Sequence, residues 1–131
     1  MGVCTFARAR AQVGLLRSFS PNEANAIDYR RSLNHFLAPH CDDRRLSGAI
    51  LVNLSLAGDA RMRYTEDRPV ARKGARADPK SVLVLLPRRS LQVQTGRVRY
   101  SFRHGIAASD FLDERRVSVT FRQNRFEGYN V

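Results

Sequence analysis

The chain has no tryptophan, two cysteines, two methionines and three histidines among its 131 residues. Two cysteines, Cys4 and Cys41, cannot form the disulfide framework on which small secreted domains rely. No cleavable secretory signal is visible, so a reducing intracellular setting, nuclear or cytoplasmic, is the expectation. No apolar run approaches the ~20 residues of a membrane-spanning helix, and no membrane partner is expected. Lysine is scarce as well. Of the 23 cationic side chains 21 are arginine, and only Lys73 and Lys80 are lysine.

Against these absences stands a large positive charge, 23 − 12 = +11. Such a surface favours polyanions, nucleic acid first among them, through phosphate contacts and counterion release. The skew to arginine is also what GC-rich coding sequence produces, so charge alone raises that expectation only modestly. The length fits one domain with a real core, and a monomer is expected. Hydrophobic content, 43%, is ordinary for a globular protein.

Residues 1–20 contain Arg8, Arg10 and Arg17 and no acid. Phe6, Ala9, Val13 and Leu16 fall on one face at helical spacing, which predicts an N-terminal amphipathic helix ended by Ser20-Pro21-Asn22. An organelle-targeting segment is the alternative reading. The domain itself is expected over 21–131. Ala24 to Tyr29 reads as a short strand, and Arg30 to Arg45 as a polar loop. Ile50 to Leu56 alternates as a half-buried strand, and Gly58-Asp59 turns it into a second arm, Ala60 to Tyr64. Thr65 to Lys80 mixes charge, proline and glycine and reads as an exposed loop. Strands follow at Ser81 to Leu86, Ser90 to Gln94, Val98 to Phe102 and Arg116 to Arg122, with a short helical turn between Ala107 and Leu112. So many short strands between turn signals predict a mainly β fold, a sandwich or jelly roll.

Chemistry concentrates in two places. The stretch PHCDDRR carries His40 and Asp42 two residues apart, so both can face one ion. Two histidines and a carboxylate on one face are the usual holder of redox-active non-haem iron. The third ligand must be His35, in the same loop, or His104, 104 − 40 = 64 residues on. A jelly roll makes neighbours of distant strands, which favours His104. In the last strand Arg116 and Arg122 are six apart and share a face with Ser118 and Thr120. Arginines turned inward need an anion, and a guanidinium is well shaped for a carboxylate. Two of them suit a small dicarboxylate.

The pattern His40-x-Asp42, then TGRVRYSFRHGI (Thr95 to Ile106), then RRVSVTFR (Arg115 to Arg122) resembles the AlkB-like family of Fe(II)/2-oxoglutarate-dependent dioxygenases. The likeness runs from about Ala24 to Gln123. It implies a double-stranded β-helix, the jelly roll of this family. It implies catalytic iron held by His40, Asp42 and His104. It also implies 2-oxoglutarate as cosubstrate, with its distal carboxylate on Arg116, Arg122 near the chelating end, and Tyr29 and Ser118 in the same site. The activity implied is oxidative demethylation of an N-methylated base in DNA or RNA. The same chemistry on a protein side chain is the alternative. A reading from another class is an inactive fold that only binds RNA or a partner.

The resemblance has two departures. The family has asparagine two residues before the tyrosine, where this chain has Ile27, with Asn25 two further back. The family also has a longer N-terminal part with a substrate-recognition lid, whereas here about twenty residues precede the core. The chain is therefore expected to be N-terminally short, and its jelly roll open to lacking an edge strand. Among the neighbours of the motif, Asp43 is expected to form a salt bridge or cap the turn, Cys41 to be a bystander, Arg44 and Arg45 to be solvated or to meet substrate, and His35 to stay in its loop.

Overall fold

A computed structural model of the chain describes residues 14–67 and 78–125. Eight strands form two four-stranded antiparallel sheets. The strands are β1 (Glu23–Arg30), β2 (Leu37–His40), β3 (Ser47–Ala57), β4 (Ala60–Glu66), β5 (Ser81–Leu86), β6 (Leu91–Gln94), β7 (Phe102–Ile106) and β8 (Arg115–Asn124). One sheet runs β1-β8-β3-β6 and the other β2-β7-β4-β5. Apart from β4 and β5, which pair in one sheet, successive strands cross between sheets, so ends distant in sequence meet across the sandwich, as in a jelly roll. Among the described residues each sheet has four strands.

Alternation divides the faces of the first sheet. In β3, Asn53 and Ser55 turn inward while Val52 is outward and wholly buried. Leu16 and Phe19 pack over Val52, with Ile50, Leu91, Val93 and Phe121 around them. Burying apolar side chains such as these stabilises by roughly 1.5–3 kcal/mol each. The inner core joins Tyr29 of β1 to Ala60, Met62, Tyr64, Leu86 and Ile106 of the second sheet and to Phe111. Tyr29 and Phe111 stack with ring centroids 5.0 Å apart.

Three expectations from the sequence need correction. Residues 30–45 are not one loop, because Leu37–His40 pairs with β7 as an edge strand. Val98 to Phe102 is not a strand: Gly96–Ser101 is a short helix, α1, and the strand begins at Phe102. Gly96, at φ +56°, starts that helix in a backbone conformation that glycine adopts freely. His104 consequently sits inside β7 rather than after a strand. The expected N-terminal helix lies mostly in 1–13, outside the described residues, as do 68–77 of the Thr65 to Lys80 loop. Among the described residues, Gly14–Leu16 forms a single 3-10 turn, and no helix is long and apolar enough to cross a membrane.

Candidate functional site

The register of β2 against β7 builds the site. Leu37 pairs with Ile106 and His40 with His104, so β2 spends one more residue than β7 over that stretch and bulges. Gly105 permits it. A Cβ there would stand 2.8 Å from the Leu37 carbonyl oxygen and 2.9 Å from the Pro39 nitrogen. The bulge sets the two imidazoles side by side, with ring centroids 4.4 Å apart. Asp42 follows just past the end of β2. Ligand atoms of His40, Asp42 and His104 all lie within 4.8 Å of one another.

Their electrostatics suit a cation. His40 Nδ1 is 2.8 Å from the Ala38 carbonyl oxygen, which can only accept, so Nδ1 carries the proton there. His40 Nε2 is left 3.6 Å from Asp42 Oδ1. The neighbouring Asp42 carboxylate raises the His40 pKa against the effect of burial. Burial pushes the Asp42 carboxyl up, yet the His40 and Arg122 contacts outweigh it and hold the group well below the usual carboxylate range. Burial, and then the neighbouring His40, push His104 down to about 4, so its imidazole is neutral at pH 7. A neutral imidazole, a fixed tautomer and an ionised carboxylate are the states that metal ligands require.

The same cavity continues along the inner face of the first sheet. Tyr29 and Ile27 line it from β1, Asn53 from β3, Gln94 from β6, and Arg116, Ser118, Thr120 and Arg122 from β8. Leu37, Met62 and Ile106 close the opposite wall. Seven of the residues singled out in the sequence therefore border one cavity: Tyr29, His40, Asp42, His104, Arg116, Ser118 and Arg122. Arg116 is paired in register with Tyr29 and is 1% exposed. Its Nη1 donates to the Gly58 carbonyl at 3.2 Å, and its Nη2 to Ser55 Oγ at 3.0 Å and weakly to Asn53 Oδ1 at 3.5 Å. Its Nε has no partner, the only such buried side-chain polar atom among the described residues. Burial lowers the Arg116 pKa and raises that of Tyr29. A buried guanidinium without a counter-charge is costly, so this corner fits an incoming carboxylate.

Arg122 lies at the metal end. It donates to Asp42 Oδ1 at 3.0 Å and to Glu23 Oε1 at 2.9 Å, and so orients the carboxylate. Ile27, which replaces the expected asparagine, is part of the cavity wall. The amide there comes instead from Asn53, whose Nδ2 donates to Thr120 Oγ1 at 2.8 Å. Asn53 and Ser55 escaped notice in the sequence, although their polar inward positions in an otherwise apolar strand were the available signal.

The remaining candidates stay outside. His35 Nδ1 accepts from the Arg30 backbone at 3.1 Å. Asp43 Oδ1 accepts from the backbone of Arg45 and Leu46, each at 2.7 Å, and so caps the turn. Arg44 pairs with Asp67 and donates to Cys41 Sγ.

No family model matches the chain. It is similar to the alpha-ketoglutarate-dependent dioxygenase alkB homolog 4 of Mus musculus, 31% identical over 82% of the chain and 43% of that protein. The Homo sapiens protein of the same name is 30% identical over 82% of the chain and 42% of its own length. The chain thus spans less than half the length of these curated relatives. Among solved structures it resembles "The structure of OsALKBH1", with a TM-score of 0.59 and 21% identity, over 80% of the chain and 51% of that one. At that identity the likeness speaks for the jelly-roll fold alone.

Proposed function

The chain belongs to the AlkB-like family of 2-oxoglutarate-dependent dioxygenases, and on that premise we propose that it is an Fe(II)- and 2-oxoglutarate-dependent oxygenase acting on N-methylated bases in nucleic acid. One observation carries this reading. The His40–Asp42–His104 group and the buried Arg116 with its unpartnered Nε border a single cavity.

In this reading His40, Asp42 and His104 hold the iron. Arg116 receives the distal carboxylate through Nε, with Tyr29 beside it and Ser118 one inward step along β8. Ser55 and the Gly58 carbonyl keep the guanidinium aimed. Arg122 keeps Asp42 turned toward the metal and lies near the chelating end of the cosubstrate. Iron, cosubstrate and oxygen together supply the oxidation, in which 2-oxoglutarate leaves as succinate and carbon dioxide while a methyl on nitrogen is hydroxylated and lost as formaldehyde. The apolar wall of Leu37, Met62 and Ile106 limits water at that end of the cavity.

The net charge of +11 supports a nucleic-acid substrate. An anaerobic titration with Fe(II) and 2-oxoglutarate tests the chemistry. The visible charge-transfer band of the chelate is expected in the wild type and absent from His40→Ala. Formaldehyde release from methylated oligonucleotides, steeply reduced by salt, tests the substrate. Release from methylated peptides alone would transfer the same chemistry to protein side chains, and no turnover of 2-oxoglutarate by folded protein would leave a binding fold.

A further inference from the structure

The structure assigns to Arg99 a role that rests on the metal reading above: we propose that it is a positioning residue that locks the backbone carrying Asp42 and so sets how tightly the three-ligand group holds a divalent metal. Arg99 lies in α1 and is 2% exposed. Its guanidinium meets no carboxylate. It donates instead to four backbone carbonyls, two in the loop that follows His40 and two at the start of β3. Nη1 reaches Asp42 at 3.1 Å, Nη2 reaches Asp43 at 2.6 Å and Ser47 at 3.3 Å, and Nε reaches Gly48 at 3.3 Å.

A set of acceptors made only of backbone responds to the conformation of the loop. Rotating the Asp42–Asp43 peptide would break the Nη1 contact and leave a buried charged donor unmade. The loop answers in the other direction, for Arg44 Nε donates to the Tyr100 carbonyl of α1 at 3.0 Å. Helix and loop are therefore cross-tied. With the Asp42 backbone held by Arg99 and its carboxylate held by Arg122, little freedom remains to the side chain. Lysine cannot replace this arrangement, because four spread acceptors need the planar fork of a guanidinium.

The test uses the full chain and Co(II), whose visible bands report coordination geometry. Affinity, spectrum and metal-free melting temperature are compared for the wild type, Arg99→Lys, His40→Ala and Val52→Ala. Val52 lies on the outer face, so that variant loses stability away from the site. The expected result is Co(II) binding by the wild type, none by His40→Ala, and wild-type affinity in Val52→Ala. Arg99→Lys should bind roughly 10–100-fold more weakly with altered band intensities, the scale of effect seen when groups supporting metal ligands are changed. Wild-type affinity and spectrum in Arg99→Lys overturn the proposal and leave the metal reading standing. A wild type that binds no Co(II) overturns both. Should Arg99→Lys not fold, the 15N resonance of Arg99 Nε in the wild type decides. It should shift on addition of diamagnetic Zn(II), and an unmoved resonance overturns the proposal.

Discussion

Arg99 and Arg116 are the two bulkiest wholly buried side chains among the described residues, and neither meets a carboxylate within salt-bridge distance. They solve the problem of a buried charge in opposite ways. At Arg99 all three guanidinium nitrogens donate to backbone carbonyls. At Arg116 the Nη atoms are held by Gly58, Ser55 and Asn53 while Nε is buried and unpaired. Saturation marks a guanidinium that belongs to the fold. In the proposed reading, incompleteness marks one kept for a ligand, since leaving a buried donor unmade costs more than a typical hydrogen bond contributes.

Methionine at each position breaks the comparison most sharply. Arg99→Met leaves four carbonyls without their donor and is expected to cost roughly 3–5 kcal/mol of stability in urea melts. Arg116→Met removes a charge that is already uncompensated, so its loss should be smaller, about 1–2 kcal/mol. Its larger effect is on ligand: 2-oxoglutarate should raise the melting temperature of the metal-loaded wild type and leave that of Arg116→Met unchanged. Equal losses of stability in the two variants would erase the distinction.

His104 sharpens the same contrast, because it avoids burying a charge by staying neutral. Its folded pKa, about 4, lies below the ordinary histidine value of 6.5. Between those values the unfolded chain binds the proton and the folded one does not, so metal-free stability falls as pH drops from 6.5 to 4. The shift corresponds to about 3 kcal/mol at most. His40 runs the other way: its raised pKa contributes stability below 6.5 that is lost as pH rises through the folded value. Urea midpoints in chelator across this range should slope for the wild type and flatten for His104→Gln.

A smaller effect is expected at Ser55, which accepts from Arg116 Nη2 at 3.0 Å. Ser55→Ala should loosen the guanidinium and weaken 2-oxoglutarate binding roughly fivefold, or about 1 kcal/mol, in calorimetric titration. An unchanged affinity would mean that Gly58 and Asn53 suffice to aim Arg116.

How much of this was legible depends on the kind of signal. Period-two alternation in β3 and β8 was plain, so Arg116, Ser118 and Arg122 were placed on one face from spacing alone. His40-x-Asp42 and the HGI glycine could be read as a motif, although not the reason for the glycine, which is the close approach of β2. The segment GRVRYS alternates as cleanly as any strand in the chain, yet it forms α1. Its Arg99 finds carbonyls on a loop more than fifty residues away, a tertiary satisfaction to which local pattern is blind. The edge strand β2 was missed because Pro39 and a bulge interrupt its pattern. Fold and motif were thus local in the sequence, whereas the supports of the site were not.

The smallest effect is expected next to the largest constellation. Asp28 neighbours Tyr29 in β1 and forms three contacts: Arg115 at 3.0 Å to each carboxylate oxygen and Arg30 at 3.2 Å. By count it rivals Arg99. It lies on the surface, however, and its carboxyl is lowered chiefly by the Arg115 hydrogen bond in full contact with solvent. Exposed pairs exchange one set of hydrated partners for another and are screened by salt. Asp28→Asn should therefore leave both the melting temperature and the 2-oxoglutarate affinity where they were. A shift in affinity would mean that the two faces of β1 are coupled through Tyr29. The contrast between Arg99 and Arg116 would then describe a network and not two separate guanidinium sites.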